Sequence, residues 1–159
     1  YKQLKAAGIT SKKYNLLTIS TTEDELLGIG GENAEGFYAC MKYFQSQKNP
    51  NNQAFVKAFK KMWGADSVIG DVTQAAYLGP WIWKAAVEKA GSFDIDKIHA
   101  AHPDIELPDA PEGYVRVHET NQHLYSRAKI GKITKDGQFE VMAVSEDLIE
   151  PDPFPKGYQ

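Results

Sequence analysis

A chain of 159 residues with 42% hydrophobic and 25% charged side chains has the composition of a folded globular protein, not of a disordered or membrane-spanning one. Its net charge of −3, with lysines scattered along the chain, excludes the concentrated basic face that nucleic-acid binding needs. No apolar run is long enough to span a bilayer, and the single cysteine, Cys40, excludes an internal disulfide or a thiolate metal cluster.

The opening YKQLKAAGI reads as the last turns of an amphipathic helix, with Leu4 and Ala7 on one face and Gly8 as its stop. No cap, initiating methionine or signal peptide precedes it, so the chain is expected to be a fragment. After a polar entry over 11–14, Leu16, Leu17 and Ile19 form a short apolar run suited to a buried parallel strand. Thr22-Glu23-Asp24-Glu25 has the capping-box pattern, a threonine N-cap with a glutamate three residues on. Leu26, Leu27 and Ile29 then supply a brief apolar face, and Gly30-Gly31 is expected to end the element. A second strand is predicted over 37–44, buried on much of both faces.

Asn49-Pro50 opens the clearest helix, with an N-cap asparagine and proline at the first helical position. Phe55, Val56, Phe59, Met62 and Trp63 have the spacing of a core-facing stripe, and Gly64 stops the helix. Asp71 is the predicted cap of a second long helix running to Ala90, with Pro80 expected to kink or divide it. Asp94 caps a shorter helix ending near Ala101, and ELPDAPEG reads as a proline-rich loop. The remainder is β in character: a short strand over 114–118, then longer ones over 123–133 and 138–144 joined at Asp136-Gly137, a strong hairpin signal. The closing EPDPFPKGYQ is an extended tail that cannot be helical.

Catalytic and metal constellations do not assemble. His99 and His102 can share a helix face and His118 and His123 flank a turn, but neither pair has the converging ligands of a zinc site. Acidic residues at 23–25 are what a helix amino terminus favours on structural grounds. Ser46, Ser126 and Cys40 have no nucleophile setting, and Gly28-Ile29-Gly30-Gly31 lacks the spacing of a phosphate loop. No cofactor is implied. What remains is a strand-end turn: Thr22 has a capping duty, whereas Ser20 and Thr21 do not, and a strand end beside a helix amino terminus is where α/β proteins hold small polar ligands.

The succession YKQLKAAGI, STTEDEL, NAEGFYACMKYF, NPNNQAFVKAFKKMWGAD, DAPEGYVRV, NQH, IGKITKDGQFEV and PDPFP resembles the carboxyl-terminal part of the substrate-binding proteins of urea and short-chain amide ABC transporters. These belong to the branched-chain amino acid binding-protein group. Pro80 and HAAHPDIEL depart from the family pattern. The resemblance implies an α/β fragment of the type I periplasmic binding fold, a Rossmann-like lobe of strands and helices plus a carboxyl-terminal β-hairpin. Residues 1–66 would supply second-lobe elements, 67–111 helices packing on the first lobe, and 112–159 the closing strands, hairpin and tail. Hinge crossings are expected near 45–49, 68–71 and before Gly113.

By the same resemblance Ser20, Thr21, Thr22 and Glu23 form part of a cleft wall for urea or an amide, delivered to an inner-membrane ABC permease. The protein would be periplasmic or extracytoplasmic, lipid-anchored in Gram-positive bacteria. A ligand-sensing regulator of the same fold and a branched-chain amino acid binding protein are the alternatives. Uncovered apolar surface would make the fragment prone to self-association.

Overall fold

The computed structural model describes residues 1–157. In chain order its elements are α1 (Lys2–Ala6), β1 (Leu17–Thr18), α2 (Glu23–Ile29), α3 (Gly31–Ala34), β2 (Tyr38–Met41), α4 (Pro50–Trp63), α5 (Asp71–Ala90), α6 (Ile95–Ala101), β3 (Glu106–Leu107), β4 (Val115–Val117), β5 (Leu124–Tyr125), β6 (Lys129–Ile133) and β7 (Phe139–Val144). They build two sheets, ordered β1-β2-β6-β7 and β3-β4-β5. In the first, β1 and β2 are parallel while β2-β6 and β6-β7 are antiparallel. This is the α/β fold class with a carboxyl-terminal hairpin that the sequence indicates.

The first sheet is held by Leu26, Ala34, Phe37, Ala39, Phe44, Ile133 and Phe139, all essentially buried. Phe44 and Phe139 pack as a tilted pair with ring centroids 4.6 Å apart. A methyl group on Gly131 would lie 2.7 Å from the Phe44 ring, so glycine is what lets that ring rest on the sheet. The Asp136-Gly137 turn forms as predicted, with Gly137 at φ 76 and the Thr134 hydroxyl donating to the Gln138 carbonyl. In the second unit, α5 and α6 cover β3, β4 and β5 through Leu78, Ala110 and Val115, then Ala86, Ile105 and Val117.

Several expectations are corrected. The predicted buried first strand is a two-residue edge strand, with Leu17 exposed and Ile19 77% exposed, because β1 ends its sheet among the described residues. Helical structure resumes after Gly30 as α3, where Gly31 meets the hairpin turn too closely to carry a side chain. The second strand stops at Met41 instead of Phe44, because the Tyr43 amide donates to Asp71 Oδ1 and not to a neighbouring strand. Residues 106–107 of the predicted loop pair with β4. The single strand predicted over 123–133 is two, β5 and β6, in different sheets, so 126–128 is a crossing.

The helices also differ from the prediction in detail. The Asn49 side chain does not cap α4 but donates to the Pro111 carbonyl. Phe55, Val56 and Phe59 are half-buried, yet Met62 and Trp63 are 74% and 66% exposed, so the predicted stripe is not a core face among the described residues. Phe55, Phe59, Met62 and Trp63 line, with Tyr77 and Pro111, an apolar groove of about 530 Å³. Helix α5 is one 20-residue element, not two. Pro80 and Ala76 are both exposed, which puts the carbonyl that loses its amide partner on the wet side. Gly70, not Asp71, occupies the N-cap position of α5.

The chain passes from the first sheet to the second between β2 and β3, and back over 126–128. The tail beyond β7 returns to the second sheet through a Ser126–Ile149 bridge and an Asn121 amide bond to the Pro151 carbonyl. No helix is long and apolar enough to cross a membrane among the described residues. Tyr158 and Gln159, part of the predicted extended tail, lie outside the described residues.

Candidate ligand-binding site

The chain leaves β1 as Ile19-Ser20-Thr21 and enters α2 at Glu23. Ser20 is exposed, and its hydroxyl makes no hydrogen bond among the described residues; its amide donates to Thr18 Oγ1 at 3.3 Å. Thr21 is nearly buried, its hydroxyl 3.3 Å from Thr18 Oγ1 and 3.4 Å from the Tyr1 hydroxyl.

Thr22 and Glu25 form the predicted capping box. Glu25 Oε2 accepts from the Thr22 amide at 2.7 Å and from its hydroxyl at 2.6 Å. Burial pushes the Glu25 carboxyl up, but the two Thr22 bonds outweigh it and hold it below the ordinary carboxylate range. That carboxylate reaches back to the N-cap residue of α2.

Glu23 is fully buried. Its Oε1 accepts from the Gln45 amide at 2.7 Å, while Oε2 has no partner. Burial raises this carboxyl from 4.5 to about 7, with the Asp24 and Asp71 charges adding to the rise and the amides of Glu23 and Gln45 opposing it. Asp24 reaches across to α5, where Oδ2 accepts from the Gly70 amide at 3.0 Å and the Thr73 hydroxyl at 3.2 Å. A methyl on Gly70 would lie 2.4 Å from both Asp24 Oδ2 and Thr22 Oγ1, so this approach requires glycine. The loop is thus pinned from below, and of its hydroxyls only that of Ser20 is unengaged among the described residues.

Behind it lies a polar junction that sequence reasoning missed. Asp71 Oδ1 accepts from the Tyr43 amide at 2.9 Å, and its Oδ2 is 3.7 Å from Lys42 Nζ. The Tyr43 hydroxyl donates to Asn52 Oδ1 at 2.8 Å, and Asn52 Nδ2 donates to the carbonyls of Gln45 and Gln47. Burial, then the charges of Glu23 and Asp71, push the Tyr43 phenol up. Lys129 Nζ donates to the carbonyls of Lys42 and Glu112, joining the first sheet to the loop before β4. Burial lowers the Lys129 pKa against the raising effect of Glu112 and Asp71, and burial raises that of Glu112 against Lys42 and Lys129. One signal was available. Positions 129, 131 and 133 share the buried phase of β6, and a lysine there requires partners.

Chemically the loop offers hydroxyl donors and acceptors at its rim with carboxylates behind them. The four histidines bring together no group of three or more His, Cys, Asp or Glu able to hold a metal ion among the described residues.

A family model described as periplasmic binding protein domain matches residues 1–159. A solute-binding protein of an ABC transporter from Rhodopseudomonas palustris BisB5, solved with 3,4-dihydroxybenzoic acid, superposes with a TM-score of 0.81 at 23% identity, covering 94% of this chain and 42% of that one. A leucine-binding protein from Thermotoga maritima gives a TM-score of 0.72 at 23% identity over 90% of this chain and 39% of that one. At such identities the likeness shows the fold. A Geobacillus stearothermophilus protein named limonene hydroxylase is 35% identical over 125 residues, 79% of this chain. The chain spans 23% of that curated relative and about two fifths of the solved ones. With the family model covering every residue, the chain belongs to the periplasmic binding protein domain family.

Proposed function

We propose that this chain supplies one wall of an interlobe cleft in an extracytoplasmic solute-binding protein that hands urea or a short-chain aliphatic amide to an ABC permease. The observation that carries the reading is the loop after β1, where the Ser20 hydroxyl is unengaged and exposed while Thr22, Glu23 and Asp24 are each fastened inward. Ser20 and Thr21 touch the ligand in this reading, and Thr22 and Glu23 hold them in place. Urea and small amides are neutral and rich in donors and acceptors, so recognition rests on such hydroxyls at a net ~0.5–1.5 kcal/mol each.

Structural relatives bind 3,4-dihydroxybenzoic acid or leucine. An aromatic carboxylate would meet Glu23, Asp24 and Asp71 close behind this loop, a repulsive arrangement that favours a neutral ligand. An amino acid is the second reading, favoured by the likeness to a leucine-binding protein. The name limonene hydroxylase belongs to a protein of which this chain matches 23%, and the transport-protein fold of the structural relatives supports a binding role instead. Residues 67–111 and the groove between α4 and α5 would face the first lobe.

A thermal-shift panel on the two-lobed protein tests the reading, since only true ligands stabilise the closed state. Urea or acetamide should raise the midpoint and 4-hydroxybenzoate should not. A shift with the aromatic acid or leucine alone would overturn it.

A further inference from the structure

Glu23 is a buried carboxylate with one oxygen bonded and the other free, set between the candidate loop and the segment that leaves the first sheet. Its bonded partner, the Gln45 amide, lies 22 residues away in that crossing segment. Gln45 is itself a node. Its side-chain oxygen accepts from the Ile69 amide at 2.8 Å, its Nε2 donates to Gln138 Oε1 at 2.9 Å, and its carbonyl accepts from Asn52.

We propose that Glu23 is a positioning residue that makes the loop after β1 and the first inter-sheet segment one mechanical unit, with the gain or loss of its proton setting how firmly the two are joined. The proposal rests on reading residues 20–22 as cleft wall.

The charged and titratable groups facing Glu23 come from each element packed against it: Asp24 on its own helix, Tyr43 on the crossing segment and Asp71 at the start of α5. The nearby cation, Lys42, is 3.7 Å from Asp71, so Asp71 shares its charge. An ionised Glu23 therefore makes a charge-assisted bond to the Gln45 amide while leaving a second oxygen uncompensated beside two carboxylates. A protonated Glu23 relieves that repulsion and is the weaker acceptor. Burial places the change near pH 7, within the range a binding protein meets. Parting the loop from the crossing segment lets water reach Glu23 and returns its carboxyl toward 4.5, so the two are joined most firmly below neutrality and less firmly as pH rises through 7; a wall held in place binds its ligand with less ordering cost.

Amide hydrogen exchange of residues 44–48 in the ligand-free protein, corrected for intrinsic rates between pH 6 and 8, is the test. Protection of the Gln45 amide should fall severalfold as pH rises across neutrality in the wild type and stay flat in Glu23→Gln, whose amide oxygen still accepts but does not titrate. Asp71→Asn, which removes one facing charge and retains an acceptor for Tyr43, should move the step to lower pH. It also serves if Glu23→Gln does not fold. A flat wild-type profile, or an unmoved step in either variant, overturns the proposal. Because no ligand is present, a ligand panel that fails would leave this result standing, and a failed exchange test would leave ligand binding intact.

Discussion

Replacing Lys129 by methionine perturbs the junction at the point where the two sheets share a cation. The ammonium donates to the Lys42 carbonyl at the end of β2 and to the Glu112 carbonyl 2.8 Å away in the loop before β4. Hydrogen bonds from a charged donor contribute about 1.5–3 kcal/mol each, so losing both costs roughly 3–6 kcal/mol and leaves two carbonyls without this donor. Burying the methionine thioether returns about 1–2 kcal/mol. A net loss of roughly 2–4 kcal/mol is expected, a fall in Tm on the order of 5–15 °C for a domain of this size. Guanidinium unfolding followed by circular dichroism measures it; urea is avoided because it is a proposed ligand. A loss below ~0.5 kcal/mol would refute the view that Lys129 ties the sheets together.

Glu23→Gln should stabilise the protein at pH 8 more than at pH 5. The folded state keeps a proton that the unfolded state releases between 4.5 and about 7, so the stability this carboxyl lends at low pH is lost as pH rises through 7. A shift of that size corresponds to about 3 kcal/mol at pH 8, and an equal effect of the substitution at both pH values in guanidinium titrations would contradict it. The groove between α4 and α5, with Met62 and Trp63 exposed, should drive self-association of the 159-residue chain at high concentration. Sedimentation should show Met62→Ser with Trp63→Ser shifting the chain toward monomer, and a wild type that stays monomeric would count against it.

Features set by neighbouring residues were legible in the sequence. The Thr22–Glu25 box, the Asp136-Gly137 hairpin, the Asp94 cap and the bounds of α4 each depend on a few adjacent side chains, and each is found. Features that depend on distant partners were not. The run over 123–133 looks like one strand because periodicity does not say which sheet a residue joins. The stripe on α4 reports amphipathicity but not what covers it. At the candidate site the hydroxyls and the cap could be read locally, whereas Gln45, Gly70 and Asp71 reach the loop only through the fold.

Isothermal titration of acetamide and urea into the two-lobed protein and its Ser20→Ala variant asks whether the loop after β1 is a wall of the ligand site. Ser20 is exposed and its hydroxyl unengaged among the described residues, so the substitution should leave stability unchanged. The variant's affinity should fall by roughly 2- to 12-fold, the equivalent of one hydrogen bond. Identical affinities for wild type and variant, with binding intact, would contradict it.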